Sequence, residues 1–186
     1  MKAKDEYINE VIADNGYKNY LEIGTQHLHN FNKIKCDKKT GVDPKAKRGK
    51  NLYKLKSDEF FKDNEETFDV IFIDGLHHAE QVRKDIINGM KCLNDNGVIV
   101  LHDTLPKDEA MQKVPREQRV WTGDVYKAVV GFHKEYPKVK FETVTCDYGL
   151  TFIYPGGKKY RKHFEDTELT YKEFAKKSRT LLNIVE

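Results

Sequence analysis

Short apolar runs alternate along the chain with amphipathic stretches. Residues 3–14 set Tyr7, Ile8, Val11 and Ile12 at helical spacing, and Asn15-Gly16 closes that pattern. "YLEIG" (20–24) reads as a strand ended by glycine, and "TGVD" (40–43) as a second strand end stopped by Pro44. "LYKLKS" (52–57) alternates like a third strand and leads into a short helix over "DEFFKD". "DVIFID" (69–74) is almost continuously apolar, as a strand covered on both faces would be. "HAEQVRKDIINGMKCL" (78–93) then places Val82, Ile86, Met90 and Leu93 on one helical face. "GVIVLHD" (97–103) repeats the sequence of buried strand and polar exit. A long loop over 104–121 precedes a helix at about 123–135. "KFETVT" and "GLTFIY" form a closing hairpin around "CDYG", and the charged tail 160–186 has a weak helical pattern.

Strands alternating with helices predict an α/β fold with a doubly wound, mostly parallel sheet. The late strand pair without an intervening helix predicts an antiparallel element at one edge. In such sheets ligands sit beyond the carboxyl ends of the strands. The polar residues gather there: Glu22, Gly24, Asp43, Ser57, Asp58, Asp74, His77, His102 and Asp103. Gly24 permits close backbone approach to a ligand, with a following helix N-terminus expected beyond it. A carboxylate at Asp43 can accept both hydroxyls of a ribose, and Ser57-Asp58 can receive an adenine amino group. Each also has a plainer role, Asp43 in a turn with Pro44 and Asp58 as a helix cap. "EIGTQHLHNF" has one glycine where a dinucleotide fingerprint has three. A nucleoside without a pyrophosphate fits better, which favours S-adenosylmethionine (SAM) over a nicotinamide cofactor.

The 186 residues suffice for a single domain, with its core at about 18–154. A balance of 33 basic against 30 acidic residues gives a net charge of +3, too even to argue for nucleic acid. Basic clusters at 38–50 and 156–163 are either a solvated face or a rim that attracts an anionic substrate. Cys36, Cys92 and Cys146 are far apart and odd in number, which favours free thiols in a reducing compartment. The apolar runs are strand-sized and the N-terminal stretch lacks a signal-peptide pattern, so a cytoplasmic, non-membrane protein is expected.

The stretches "YLEIG…NF", "GVDP", "SDEFF", "FDVIFIDGLHHAEQVRKDI", "GVIVLHDTLP", "WTGDVYKAVV" and "DYGLTFIY" occur in order. Together they resemble small class I SAM-dependent methyltransferases related to the catechol and sugar O-methyltransferases, with a D-G-x-H motif after the fourth strand. The resemblance implies a seven-stranded sheet with an antiparallel seventh strand and SAM lying over strands one to four. It implies transfer of a methyl group to a hydroxyl of a small acceptor, such as a sugar or glycan unit. His77 occupies the place of the general base, and a neutral histidine with a pKa of about 6.5 suits that role. Asp74 and Asp103 stand where metal-dependent relatives hold a divalent cation, for which oxygen ligands suit Mg, Ca or Mn. The other option is that Asp74 bonds the cofactor and no metal binds. His102 either ligates such an ion or orients Asp103, and His78 is expected to start the next helix, facing solvent.

Leu28 replaces a second glycine expected in the loop after the first strand, which would crowd the methionine end of the cofactor. Loop 104–121 is expected to wall the acceptor pocket with Trp121. Its Lys107, Lys113, Arg116 and Arg119 are either solvated or bind an anionic group on the acceptor. Thr122 or Asp124 is expected to cap the helix that follows. Two other functions remain open from sequence: a metal-dependent hydrolase and a non-catalytic cofactor-binding module. Oligomeric state is not encoded in any recognisable motif.

Overall fold

The computed structural model describes residues 2–47, 49–158, 160 and 163–185. Arg48, Lys159, Arg161 and Lys162 of the two basic clusters lie outside the described residues.

Helix α1 (Lys4–Asn15) buries Ile8 and Ile12 and ends at Gly16, whose φ of 65° supplies the left-handed cap. The strands are β1 (Asn19–Ile23), β2 (Lys38–Val42), β3 (Leu52–Tyr53), β4 (Phe68–Ile73), β5 (Leu93–His102), β6 (Lys140–Val144) and β7 (Leu150–Tyr154). They form one seven-stranded sheet in the order β3-β2-β1-β4-β5-β7-β6. All neighbouring pairs from β3 to β5 run parallel, while β7 runs antiparallel to both β5 and β6. The expected antiparallel element is therefore β7, with β6 outside it as the edge strand.

Helices α2 (Ser57–Asp63), α3 (Ala79–Cys92) and α5 (Val125–Glu135) pack on one face around Ile71, Ile86, Ile99 and Val129. On the other face α1 lies over Tyr20, Val70, Val98 and Phe152. Ile71 and Ile99 at the centre are wholly buried, so truncating either to alanine would cost roughly 2–5 kcal/mol. The C-terminal helix α6 (Tyr171–Leu181) buries Phe174 against Tyr126, with ring centroids 4.0 Å apart.

The sequence-based boundaries need three corrections. No α-helix follows Gly24: among the described residues, the connection from β1 to β2 holds only a 3-10 turn at Phe31–Lys33. Gln26 and Leu28 have positive φ there, which breaks a helix, and Phe31 and Ile34 share their apolar cluster with α1. That N-terminal helix covers the face a crossover helix would otherwise cover. The third strand stops at Tyr53, because Leu55 is exposed and the chain then turns into α2. Loop 104–121 contains a four-residue helix, α4 (Glu109–Gln112), whose Met111 N–H donates to the Asp108 cap.

Candidate active site

Sheet register assembles the site. Ile23 pairs with Val42 on one side and Ile73 on the other, and Ile73 pairs with Leu101. The next residue on each strand is thus Asp43, Gly24, Asp74 and His102, which stand in a row along the carboxyl edge. Gly24 is required for this closeness: at φ 96° an added Cβ would lie 2.0 Å from the Asp74 carbonyl oxygen. The row borders a cavity of about 670 Å³ that also touches Ser57, Asp58, Gln81, His77, Asp103 and Trp121.

At one end of the cavity Asp43 is nearly buried. Its carboxylate accepts from the backbone N–H of Gln26 (2.9 Å) and of Lys45 (2.6 Å). Ser57 and Asp58 begin α2 beside it. Glu22 lies elsewhere: it is buried behind the strand end, accepting from the Tyr20 hydroxyl (2.5 Å) and the Asn30 amide (2.7 Å), and it does not border the cavity. Burial pushes the Glu22 carboxyl up to about 7, against those two hydrogen bonds.

At the other end six charged side chains interlock. Asp74 receives His102 Nδ1 at 3.1 Å and Lys4 Nζ at 3.1 Å, and lies 3.4 Å from His77 Nε2. His102 Nε2 lies 3.1 Å from Asp147 Oδ2, and Lys4 Nζ lies 3.6 Å from the same oxygen. Burial opposes charge on all of Asp74, His102 and Lys4, but their mutual attraction overrides it. The Asp74 carboxyl is held well below the usual range, while the His102 imidazole is held well above its own. Burial also opposes charge on His77, and Asp74 and Asp103 reverse that and raise its pKa. The His102 imidazolium and the Lys4 ammonium thus face the carboxylates of Asp74 and Asp147.

Lys4 and Asp147 were not legible from sequence as site residues. Lys4 arrives from the first turn of α1, far along the chain. Asp147 sits in the β6–β7 turn at φ 42°, with Tyr148 at φ 66°, a left-handed conformation that no motif announces.

His77 stacks on Trp121, with ring centroids 5.4 Å apart and planes inclined by 19°. Its Nδ1 lies 3.2 Å from Asp103 Oδ2 but out of line, and is a buried ring nitrogen without a hydrogen-bond partner. Asp103 itself adopts φ 59°, which aspartate tolerates better than most residues. The Trp121 indole is fixed by its N–H donating to the Lys113 carbonyl (2.7 Å). Asp124 does cap a helix, but not its own: its carboxylate accepts from Ala79 N–H (2.7 Å), the first residue of α3. This pins the end of the long loop beside His77, where Gly123 leaves no room for a Cβ next to the His77 carbonyl. His78 precedes α3 as expected, but it is half-buried and edge-on to Trp121 rather than solvent-facing.

Leu28 takes the left-handed conformation of the absent glycine, at φ 64°, and packs against the apolar cluster under α1. It does not border the cavity. Of the loop's four cations, Arg116 reaches the cavity wall. Lys113 pairs instead with Glu117 (2.8 Å), and Lys107 lies over the Tyr148 ring.

Residues 10–104, which include the strand ends from Glu22 to Asp103, match the family described as methyltransferase domain. The chain belongs to that family. It is a class I SAM-dependent methyltransferase, and its seven-stranded sheet is the one that class shares. Solved methyltransferases have the same fold. An SAH-bound methyltransferase of Podospora anserina superposes with a TM-score of 0.59 at 16% identity, over 83% of this chain and 79% of that one. An O-methyltransferase of Bacillus cereus in complex with SAH gives 0.56 at 11% identity, over 81% and 80%. The SAM-bound O-methyltransferase TomG of Streptomyces achromogenes gives 0.57 at 11% identity, over 81% and 78%. At these identities the likeness is one of fold. No curated protein sequence matches the methyltransferase. Among its described residues no helix is long and apolar enough to cross a membrane.

Proposed function

We propose that the enzyme transfers the methyl group of SAM to a hydroxyl of a small acceptor, with His77 as general base. One observation carries this reading: His77, whose buried Nδ1 has no hydrogen-bond partner, borders the same cavity that Gly24, Asp43, Ser57 and Asp58 border. Asp43 would receive the ribose hydroxyls, and Ser57-Asp58 would lie at the adenine. That order would bring the sulfonium near Gly24 and Asp74, within reach of an acceptor held in the cavity beside the stacked His77 and Trp121. Methyl transfer is an in-line displacement, so the enzyme contributes alignment and removal of the acceptor proton. His77 takes that proton when neutral, and Asp74 and Asp103 steady the imidazolium that forms. The indole of Trp121 and the guanidinium of Arg116 suit an acceptor with a flat apolar surface and an anionic group. A sugar or glycan unit carrying a carboxylate or phosphate has that chemistry.

The donors of Asp74, His102 and Asp103 lie within 4.8 Å of one another and fit a divalent cation. When bound, such an ion would polarise the acceptor hydroxyl. Holding such an ion would require His102 in the neutral form, so its binding would be accompanied by release of a proton.

The test is transfer of labelled methyl from SAM to a panel of hydroxylated acids and sugar phosphates. For an acceptor that turns over, His77→Ala should lower kcat by about 10²–10⁴-fold, the usual worth of general-base catalysis, and leave SAH affinity within about twofold. Near-wild-type turnover by that variant would remove His77 from the mechanism.

A further inference from the structure

Gln81, in the first turn of α3, borders the end of the cavity near Ser57 and Asp58, and its amide is held in one orientation. Its Nε2 lies 3.2 Å from Ser57 Oγ, 3.2 Å from Asp58 Oδ1 and 3.1 Å from Asp85 Oδ1. Two of these three partners are carboxyl oxygens, and the ionised carboxylate of the exposed Asp58 has only acceptors to offer, so the NH₂ group faces them and the carbonyl faces away. Among the described residues nothing donates to Gln81 Oε1. Asp85, one helical turn on, is only 1% exposed, and Ser57 and Gln81 supply the hydrogen bonds that satisfy it. A buried carboxyl in this position, pushed up to about 7 by its burial, does not touch the cavity. Its effect on the cavity is to lock the neighbouring amide.

We propose that Gln81 is a specificity-determining residue for the cofactor, its Oε1 accepting a hydrogen bond from the exocyclic amino group of adenine, and that Asp85 is the residue that positions it. The proposal rests on the reading that the cavity takes SAM. A fixed acceptor here favours a base with an amino group at that position and repels one with a carbonyl, because two oxygens would then face each other. Adenine is accepted and hypoxanthine refused.

The experiment is calorimetric titration of SAH, and of its inosine counterpart with a carbonyl in place of the amino group, into wild type, Gln81→Ala and Gln81→Leu. Gln81 is only half-buried, so both variants should fold. Wild type should prefer SAH by about tenfold or more, the worth of one hydrogen bond plus the avoided repulsion. Both variants should lose most of that preference through weaker SAH binding, with the inosine compound bound no more weakly than by wild type. Equal binding of the two compounds by wild type would overturn the proposal, as would an unchanged preference in both variants. If wild type binds neither compound, the cofactor reading itself fails, and this proposal with it.

Discussion

His102 bridges Asp74 and Asp147, with each ring nitrogen 3.1 Å from a carboxylate oxygen. One imidazolium thereby joins the end of β5 to the end of β4 and to the β6–β7 turn. Replacing His102 with alanine leaves Asp74, Asp103 and Asp147 crowded together, with the Lys4 ammonium beside Asp74 and Asp147. Breaking a buried charge network of this kind should cost about 3–5 kcal/mol, measurable as a lower urea midpoint. A loss below about 1 kcal/mol would mean that the bridge carries no more than an exposed ion pair does.

Gly24→Ala tests the closeness of the strand ends. The added methyl would meet the Asp74 carbonyl at 2.0 Å and would also be strained at φ 96°. The expected loss is roughly 2–4 kcal/mol of stability together with weaker SAH binding. Thermal melts with and without SAH read both effects.

Two buried carboxyls set the pH dependence of stability away from the ion network. Burial pushes both Glu22 and Asp85 up to about 7. Their unfolded values are near 4, so between about pH 4 and pH 7 the folded state binds more protons than the unfolded chain. Their contribution is fully present below about pH 4 and is lost as the pH rises through 7. Glu22→Gln should therefore gain on wild type as the pH is raised from 4 to 8. The check is urea unfolding at several pH values, and a difference independent of pH would contradict the assignment.

Manganese should raise the melting temperature of wild type in proportion to the logarithm of its concentration once above its Kd, as any ligand of the folded state does. Asp103→Asn, which weakens one of the three donors, should reduce that shift. An equal shift in both proteins would place the ion elsewhere.

The sheet was readable because apolar strands such as 69–74 and 97–103 leave no other choice, and the polar row at their ends follows from register. Asp43, Ser57, Asp58, Asp74, His77, His102 and Asp103 all border the cavity. Glu22 does not, because it sits two residues back from Gly24 within the strand, where it is buried under the α1 side of the sheet and meets Tyr20 and Asn30. Pattern could not reveal Lys4, which depends on how α1 docks, nor Asp147, which depends on a left-handed turn. Gln81 was hidden by its position: on a helix it reads as an ordinary polar residue, and only the packing of α2 against α3 brings it to Ser57 and Asp58. The missing helix after β1 had the same origin, since the docking of α1 decides what covers that face.

The central claim is that the row from Asp43 to Asp74 holds SAM. Calorimetric titration of SAH into wild type and Asp43→Ala tests it most directly. One site per chain is expected in wild type. Asp43→Ala should weaken affinity by at least about tenfold, since a ribose bound to a carboxylate makes charge-assisted hydrogen bonds. No detectable binding to wild type at millimolar SAH, or equal binding by the two proteins, would contradict it.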